Sequence, residues 1–323
     1  MLKLLDQAAD AHVRLIVFPE LALTTFFPRH IIHEPSEVAA YFEPLSDSSP
    51  DALIISPNTK PLFERARALG IDMSLGFGER WADTEGKTTD YNTMIYYSAS
   101  RNKVLAKYRK VHLPGTEKPV RKPGVAEQLE KMYFKPGDSG FEAFRAPDLV
   151  PDAVKARDAH SAADGQGDPI IGMLLCNDRR WPEAWRCYGL QGVELVLQGY
   201  NTRGYAPQHP GSEAEQHDLA VFHHRLSCQA GSYHNACFSI NCGKAGVEDG
   251  GLLIASSVIV APSGHIIAES RTSGDELVVA DIDLAECRFN KEGVFDFAKH
   301  RRVEHYGRIV EQAGAKEIPL LQD

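Results

Sequence analysis

The stretches that most restrict how this 323-residue chain can fold are short and apolar almost throughout. "VRLIVF" (13–18), "PIIGMLL" (169–175) and "SSVIVA" (256–261) show no regular alternation of apolar and polar residues. A strand with one face in water alternates, whereas a strand covered on both faces need not. These runs predict sheets buried on both sides, and hence an α/β architecture in which helices cover sheets. Further β-type runs lie at 71–78, 91–98, 193–198, 237–240 and 277–282, bounded by Gly, Pro, Asp or Asn. Helical patterns cover 1–11, 60–69, 181–191 and 215–234. In the last, Leu219, Phe222, Leu226 and Ala230 form one apolar stripe, expected to lie on a sheet. The polar stretch 145–168 reads as a surface loop. The charged tail 299–323 reads as lying on the surface or on a partner. There is no internal repeat, and 1–323 reads as one domain.

Composition excludes several classes of function. A net charge of −9 gives no general attraction to nucleic acid or to an anionic membrane. No apolar run approaches the length of a membrane span. The N-terminus carries Asp6, Asp10 and Arg14 and does not read as a secretory signal. Six cysteines in a chain this long are no disulfide framework, and none forms a C-x-x-C pair. The expectation is a reduced, cytoplasmic protein without a zinc site.

Three segments could carry chemistry. In "LIVFPELALTTFFP" a strand ends at Pro19 and Glu20 follows. Desolvation there would raise the carboxyl pKa and suit it to general-base work, although a glutamate at a sheet edge can also simply face water. In "KYRKVHLPG", a strand of period two puts Lys110 and His112 on one face. The segment is either a solvated basic edge or the source of a fixed cation for an oxyanion. In "LLCNDRRWPEAWR", Cys176 ends a strand and Pro182 suits the first turn of a helix. Inert packing fits Cys187, Cys228, Cys237 and Cys242. It fits Cys176 poorly, because Asn177, Asp178, Arg179 and Arg180 follow at once. Guanidinium neighbours favour thiolate, and a pair of them can either hold a carboxylate or stand as surface charges.

The order Glu, Lys, Cys, each at or near a strand end, resembles the nitrilase superfamily of carbon–nitrogen hydrolases. "IVFPELALTTFFPR", "KYRKVHLPG", "CNDRRWPE", "GYNT", "FHH", "QAGSY" and "AKHRRVEHYG" resemble the D-carbamoylases, the N-carbamoyl-D-amino acid amidohydrolases, over nearly the whole chain. The resemblance implies a four-layer αββα sandwich and a Glu–Lys–Cys triad that works without metal or organic cofactor. It makes Glu20 the base, Lys110 the oxyanion-stabilising cation and Cys176 the nucleophile, with Glu130 positioning the lysine. It places a substrate carboxylate on Arg179 and Arg180, lines the pocket with Asn177, Asn201 and Thr202, and sets His112 near the lysine. The implied reaction takes an N-carbamoyl-D-amino acid to the D-amino acid, ammonia and carbon dioxide. Alternatives are the same chemistry on another ureido acid, as in a β-ureidopropionase, or on an amide, and a catalytically inactive family member. A homodimer or homotetramer is implied, with the tail crossing to a partner.

Two departures stand out. The family has a core strand ahead of the point where this sequence starts, and its loss would bare a sheet edge. After "HLPG" this chain reads "TEKPVRKPGVAEQLE", with Gln128 where the family has a histidine that touches substrate.

Overall fold

The apolar runs stack as two sheets in the computed structural model, which describes residues 1–46, 49, 51–150 and 167–321. The first sheet contains β1 (Leu15–Val17), β2 (Phe42–Ser46), β3 (Asp72–Ala82), β4 (Thr88–Ser98) and β5 (Lys103–Arg109). β1 and β2 both run parallel to β3, which continues antiparallel into β4 and β5. The second sheet contains β6 (Phe144–Arg145), β7 (Ile170–Leu175), β8 (Leu195–Tyr200), β9 (Phe238–Gly243), β10 (Val258–Val260) and β11 (Ile266–Glu269). Its order is β11-β10-β9-β8-β7-β6, with β7, β8 and β9 parallel to one another.

Met94, Tyr96 and Tyr108 of the first sheet pack on Ile171, Met173, Leu175, Leu197 and Phe238 of the second. On the outer face of the first sheet, α1 (Leu2–Asp10) and α2 (Lys60–Leu69) bury Leu5, Ala8, Phe63 and Ala66 against Ile16, Met73 and Leu75. On the outer face of the second, α3 (Pro182–Leu190) sets Trp185 and Tyr188 on Leu174 and Val196. There α4 (Glu213–Asn235) sets Cys228 on Val258 and Val260. The layers run α-β-β-α, as expected, because both faces of each sheet are apolar. Each fully buried Leu or Phe contributes about 1.5–3 kcal/mol relative to exposure.

Two expectations change. Residues 277–282 form no strand. Leu277 still packs on the first core cluster and Ile282 on the second. Yet the segment lines a cavity of about 530 Å³, whose wall also includes Leu15–Val17 of the edge strand β1. With empty space where a neighbouring strand would lie, no ladder forms. The α4 stripe also faces outward: Leu219, Phe222 and Leu226 are each more than half exposed. The buried face carries His224, Cys228, Gly231, Ser232 and Asn235 instead. Gly231 lies so close to Trp185 that a Cβ would sit 2.3 Å from the indole, and Ser232 Oγ meets Ser239 Oγ at 2.8 Å. Small residues let α4 approach closely, which turns the large ones away.

Of 145–168, Arg145 belongs to β6 and Ala146 and Leu149 are buried, while 151–166 lie outside the described residues. The described part of the tail carries the short turns Val303–His305 and Gly307–Glu311, with no buried residue. Among the described residues no helix is long and apolar enough to cross a membrane.

Candidate active site

β1 delivers Glu20 into the space between the sheets. Phe18 N–H still bonds Ser74 of β3, but Pro19 ends the ladder and Leu21 adopts a φ of 48°. Glycines from both sheets make room for this turn. A Cβ on Gly76 of β3 would lie 2.6 Å from the Pro19 carbonyl oxygen and 2.9 Å from Glu20 Cα. One on Gly199 of β8 would lie 2.6 Å from Glu20 N. Any side chain at either position would push the glutamate backbone out of place.

The Glu20 carboxylate is fully buried. Its Oε1 accepts from Lys110 Nζ at 2.6 Å and from Asn92 Nδ2 at 2.8 Å, while the buried Oε2 has no partner. Lys110 follows β5 directly, held by its N–H to the Asn92 carbonyl at 2.8 Å. Its Nζ also reaches both oxygens of Glu130, at 2.9 and 2.7 Å. Glu130 opens the helical turn Glu130–Tyr133 and accepts from Gln128 Nε2 at 3.1 Å.

Cys176 sits where β7 gives way to the tight turn Cys176–Arg180. Its φ of 47° is a left-handed conformation that costs a non-glycine residue about 1–3 kcal/mol. The buried thiol donates to the Asn201 carbonyl at 3.5 Å. Asp178 fixes the turn, accepting from Tyr108 Oη at 2.7 Å and from the backbone N–H groups of Leu175 and His112 at 3.2 and 2.9 Å.

One ammonium between two buried carboxylates sets the electrostatics. Burial pushes Glu130 up to about 7, with Lys110 opposing and Glu20 adding to the rise. Burial alone would lower Lys110, but Glu130 and Glu20 outweigh it and hold the ammonium firmly protonated. Burial and then Glu20 raise Cys176, against the pull of Lys110 and Arg179. The resting sulfur is therefore a thiol that needs a base.

Glu20, Lys110 and Glu130 thus meet directly, with Cys176 coupled to them through charge. The other expected site residues are placed as follows. His112 lies beyond the end of β5 and does not share a strand face with Lys110. Its Nδ1 pairs with Asp178 at 2.8 Å, and its ring stacks on Trp181 at 5.0 Å. Asn177 Nδ2 donates to the His112 carbonyl at 3.1 Å. Arg179 turns inward: its Nη1 bonds the Cys176 carbonyl at 2.6 Å, Nη2 meets Thr202 Oγ1 at 3.3 Å, and the guanidinium lies over the Tyr200 ring at 4.7 Å. Arg180 points outward, its Nη1 3.4 Å from Asn177 Oδ1. The buried Asn201 side chain accepts from Arg29 Nη2 at 3.0 Å.

Sequence reasoning gave no role to Asn92, Asp178, Tyr200 or Arg29. A polar Asn92 inside the otherwise apolar run "YNTMIYYS" was the available signal for the first. Among the described residues no group of three or more His, Cys, Asp or Glu could hold a metal ion.

The carbon–nitrogen hydrolase family model matches residues 1–292. The chain is 28% identical to an N-carbamoylputrescine amidase of Arabidopsis thaliana over 80% of its own length and 75% of that protein. It is 26% identical to a citrullinase of Francisella tularensis, covering 94% and 89%. Among solved structures it resembles a carbon–nitrogen hydrolase from Helicobacter pylori G27, with a TM-score of 0.72 at 21% identity over 96% of this chain and 92% of that one. It also resembles an amidase from Nesterenkonia sp. AN1 carrying the acetamide moiety of fluoroacetamide on its active-site cysteine, with a TM-score of 0.59 at 18% identity over 92% and 88%.

Proposed function

This chain belongs to the carbon–nitrogen hydrolase family, and on that premise we propose that it hydrolyses the carbamoyl C–N bond of N-carbamoyl-D-amino acids through a cysteine acyl-enzyme. The observation that carries the chemistry is the division of labour within the Glu20 carboxylate. Oε1 is saturated by Lys110 and Asn92, and Oε2 is buried and free to take a proton. A raised Cys176 thiol that feels the Glu20 charge is what general-base activation would act on.

Glu20 Oε2 removes the thiol proton and the sulfur attacks the ureido carbonyl. Negative charge grows on the carbonyl oxygen, where Lys110 and a backbone N–H near Asn177 stabilise it. Collapse of the tetrahedral intermediate expels one amine, protonated by Glu20. Water, deprotonated by Glu20, then attacks the acyl carbon and releases the thiol together with a carbamic acid, which breaks down to carbon dioxide and the second amine. One water is consumed overall, giving the amino acid, ammonia and carbon dioxide. The substrate, a small carboxylate-bearing molecule, needs a cation for its carboxylate, and Arg29, Arg179 and Arg180 are the candidates nearest Cys176 in the fold.

A second reading keeps this machinery and changes the substrate to another ureido acid or an amide. It is favoured by Gln128, which bonds Glu130 rather than leaving an imidazole for substrate, and by relatives named for N-carbamoylputrescine and for amides. Ammonia release from D- and L-carbamoyl amino acids and from neutral amides separates the two. We expect the D-carbamoyl acids to be turned over fastest and Cys176→Ala to lose at least about 1000-fold in rate. An active alanine variant refutes the nucleophile, and equal rates on neutral amides refute the acid substrate. Slow, uniform alkylation of all six cysteines would instead indicate a binding protein.

A cytoplasmic setting suits six unpaired cysteines. A homodimer or homotetramer would cover Leu219, Phe222 and Leu226 on α4 and Val303, Ile309 and Val310 in the tail, all more than half exposed.

A further inference from the structure

Several buried nitrogen donors of the candidate site have nothing to donate to, Arg179 Nε among them. Arg29 Nη2 bonds Asn201 Oδ1, which ties the two side chains together, while Arg29 Nη1 and Asn201 Nδ2 have no partner. A buried donor without an acceptor costs on the order of 1–3 kcal/mol, so the pair calls for an acceptor from outside the chain. The nearby acids do not serve. Glu248 accepts from Phe26 N–H at 3.1 Å and pairs with Lys244 at 2.5 Å, and Asp249 pairs with His30 at 2.9 Å. Among the described residues the Arg29 guanidinium forms no ion pair and rests on the Phe26 ring at 4.9 Å.

The location fits a substrate group. The Asn201 carbonyl accepts from the Cys176 thiol at 3.5 Å, which puts the backbone of this residue next to the nucleophile. Arg179, the first arginine after the cysteine, already has contacts: the Cys176 carbonyl, Thr202 and the Tyr200 face. Those contacts hold the strained turn and engage both Nη atoms of its fork, leaving only the buried Nε without a partner.

We propose that Arg29 Nη1 and Asn201 Nδ2 form the seat of the substrate's carboxylate, with Arg179 positioning the cysteine turn and Arg180 at the rim. This rests on the reading of Cys176 as the nucleophile for a carboxylate-bearing ureido compound. Two N–H donors on side chains joined at 3.0 Å suit the two oxygens of one carboxylate. Burial acts most strongly against the Arg29 cation; Glu248, then Asp249 and Glu20, oppose it, and the like charge of Arg203 adds to it. An arriving anion supplies the acceptors that these donors lack.

The test compares an N-carbamoyl-D-amino acid with its neutral carboxamide in wild type, Arg29→Met, Arg29→Lys and Arg180→Met. In Arg29→Met, kcat/KM for the acid should fall about 100-fold or more, mostly through KM, and at least about tenfold more than for the carboxamide. Arg29→Lys, which keeps the charge and loses the fork, should fall in between. Equal losses on both substrates, or a larger loss on the acid in Arg180→Met, would overturn the proposal. Calorimetric binding of the same two ligands in Cys176→Ala, with and without Arg29→Met, keeps the question separate from turnover. Selective loss of acid binding supports the seat even if catalysis proves different. No binding of the acid to Cys176→Ala overturns it.

Discussion

Glu20 and the large cavity behind it are neighbours in the chain and opposites in physics. Val17, Phe18 and Pro19 line the cavity, and one residue later the chain enters the most charged part of the interior. Around Glu20 the space is filled: Lys110, Asn92 and Glu130 lock together at 2.6–2.9 Å. The cavity is about 530 Å³ of space walled by β1, β9 and the extended segment 277–282. Volume and apolar lining are the usual marks of a ligand site, yet the convergent polar groups stand elsewhere. In this molecule the candidate chemistry is located by charges that perturb one another, and this cavity lies along a sheet edge beside it.

Three changes would break or sharpen that contrast. The largest effect should come from Lys110→Met, which leaves two buried carboxylates facing each other without a cation. Removing one partner of a buried ionic cluster costs about 3–5 kcal/mol, so calorimetry should show the melting point falling by roughly 10 °C, with activity lost. A fall under about 3 °C would mean that the carboxylates do not need the lysine, and the contrast would fail.

Next in size, truncation should cost more in the sealed core than at the void. Leu75 is fully buried and Leu277 only partly so, beside the cavity. Leu75→Ala should lose about 2–5 kcal/mol by chemical denaturation, and Leu277→Ala under about 1.5. Similar losses would show that the edge segment is as tightly packed as the core.

The smallest effect is a pH dependence. Glu130 titrates near 7 in the folded chain against an ordinary value of 4.5. The folded state therefore binds the extra proton between those values, and this residue's contribution to stability is lost as pH rises from about 4.5 to 7. Glu130→Gln is neutral throughout, so its melting point should decline less than wild type over that window. Parallel curves would show that Glu130 does not titrate there.

The layers were legible because they depend on local pattern, an apolar run; Glu20, Lys110 and Cys176 stood out as polar residues at or near the ends of such runs, and a family resemblance, not the pattern, gave them roles. Asn92, Asp178 and Arg29 were not legible, because their partners are 72, 66 and 172 residues away in the chain. Segment 277–282 has the composition of a strand, but strand formation also needs a neighbour. The α4 stripe misled for a related reason. Periodicity marks an apolar face, and the close fit of Gly231 under Trp185 decides which face turns in.

Gly76 and Gly199 have a consequence beyond packing. They belong to different sheets, and the glutamate backbone runs between them like a feeler in a gap. The position of the Glu20 carboxylate therefore reports the spacing of the two sheets. Anything that eases them apart, whether heat, a bulkier core residue or a chaotrope, is felt at Glu20 before the layers separate. Catalysis should then fade while the chain is still folded, and the enzyme's working range should be narrower than its structural one.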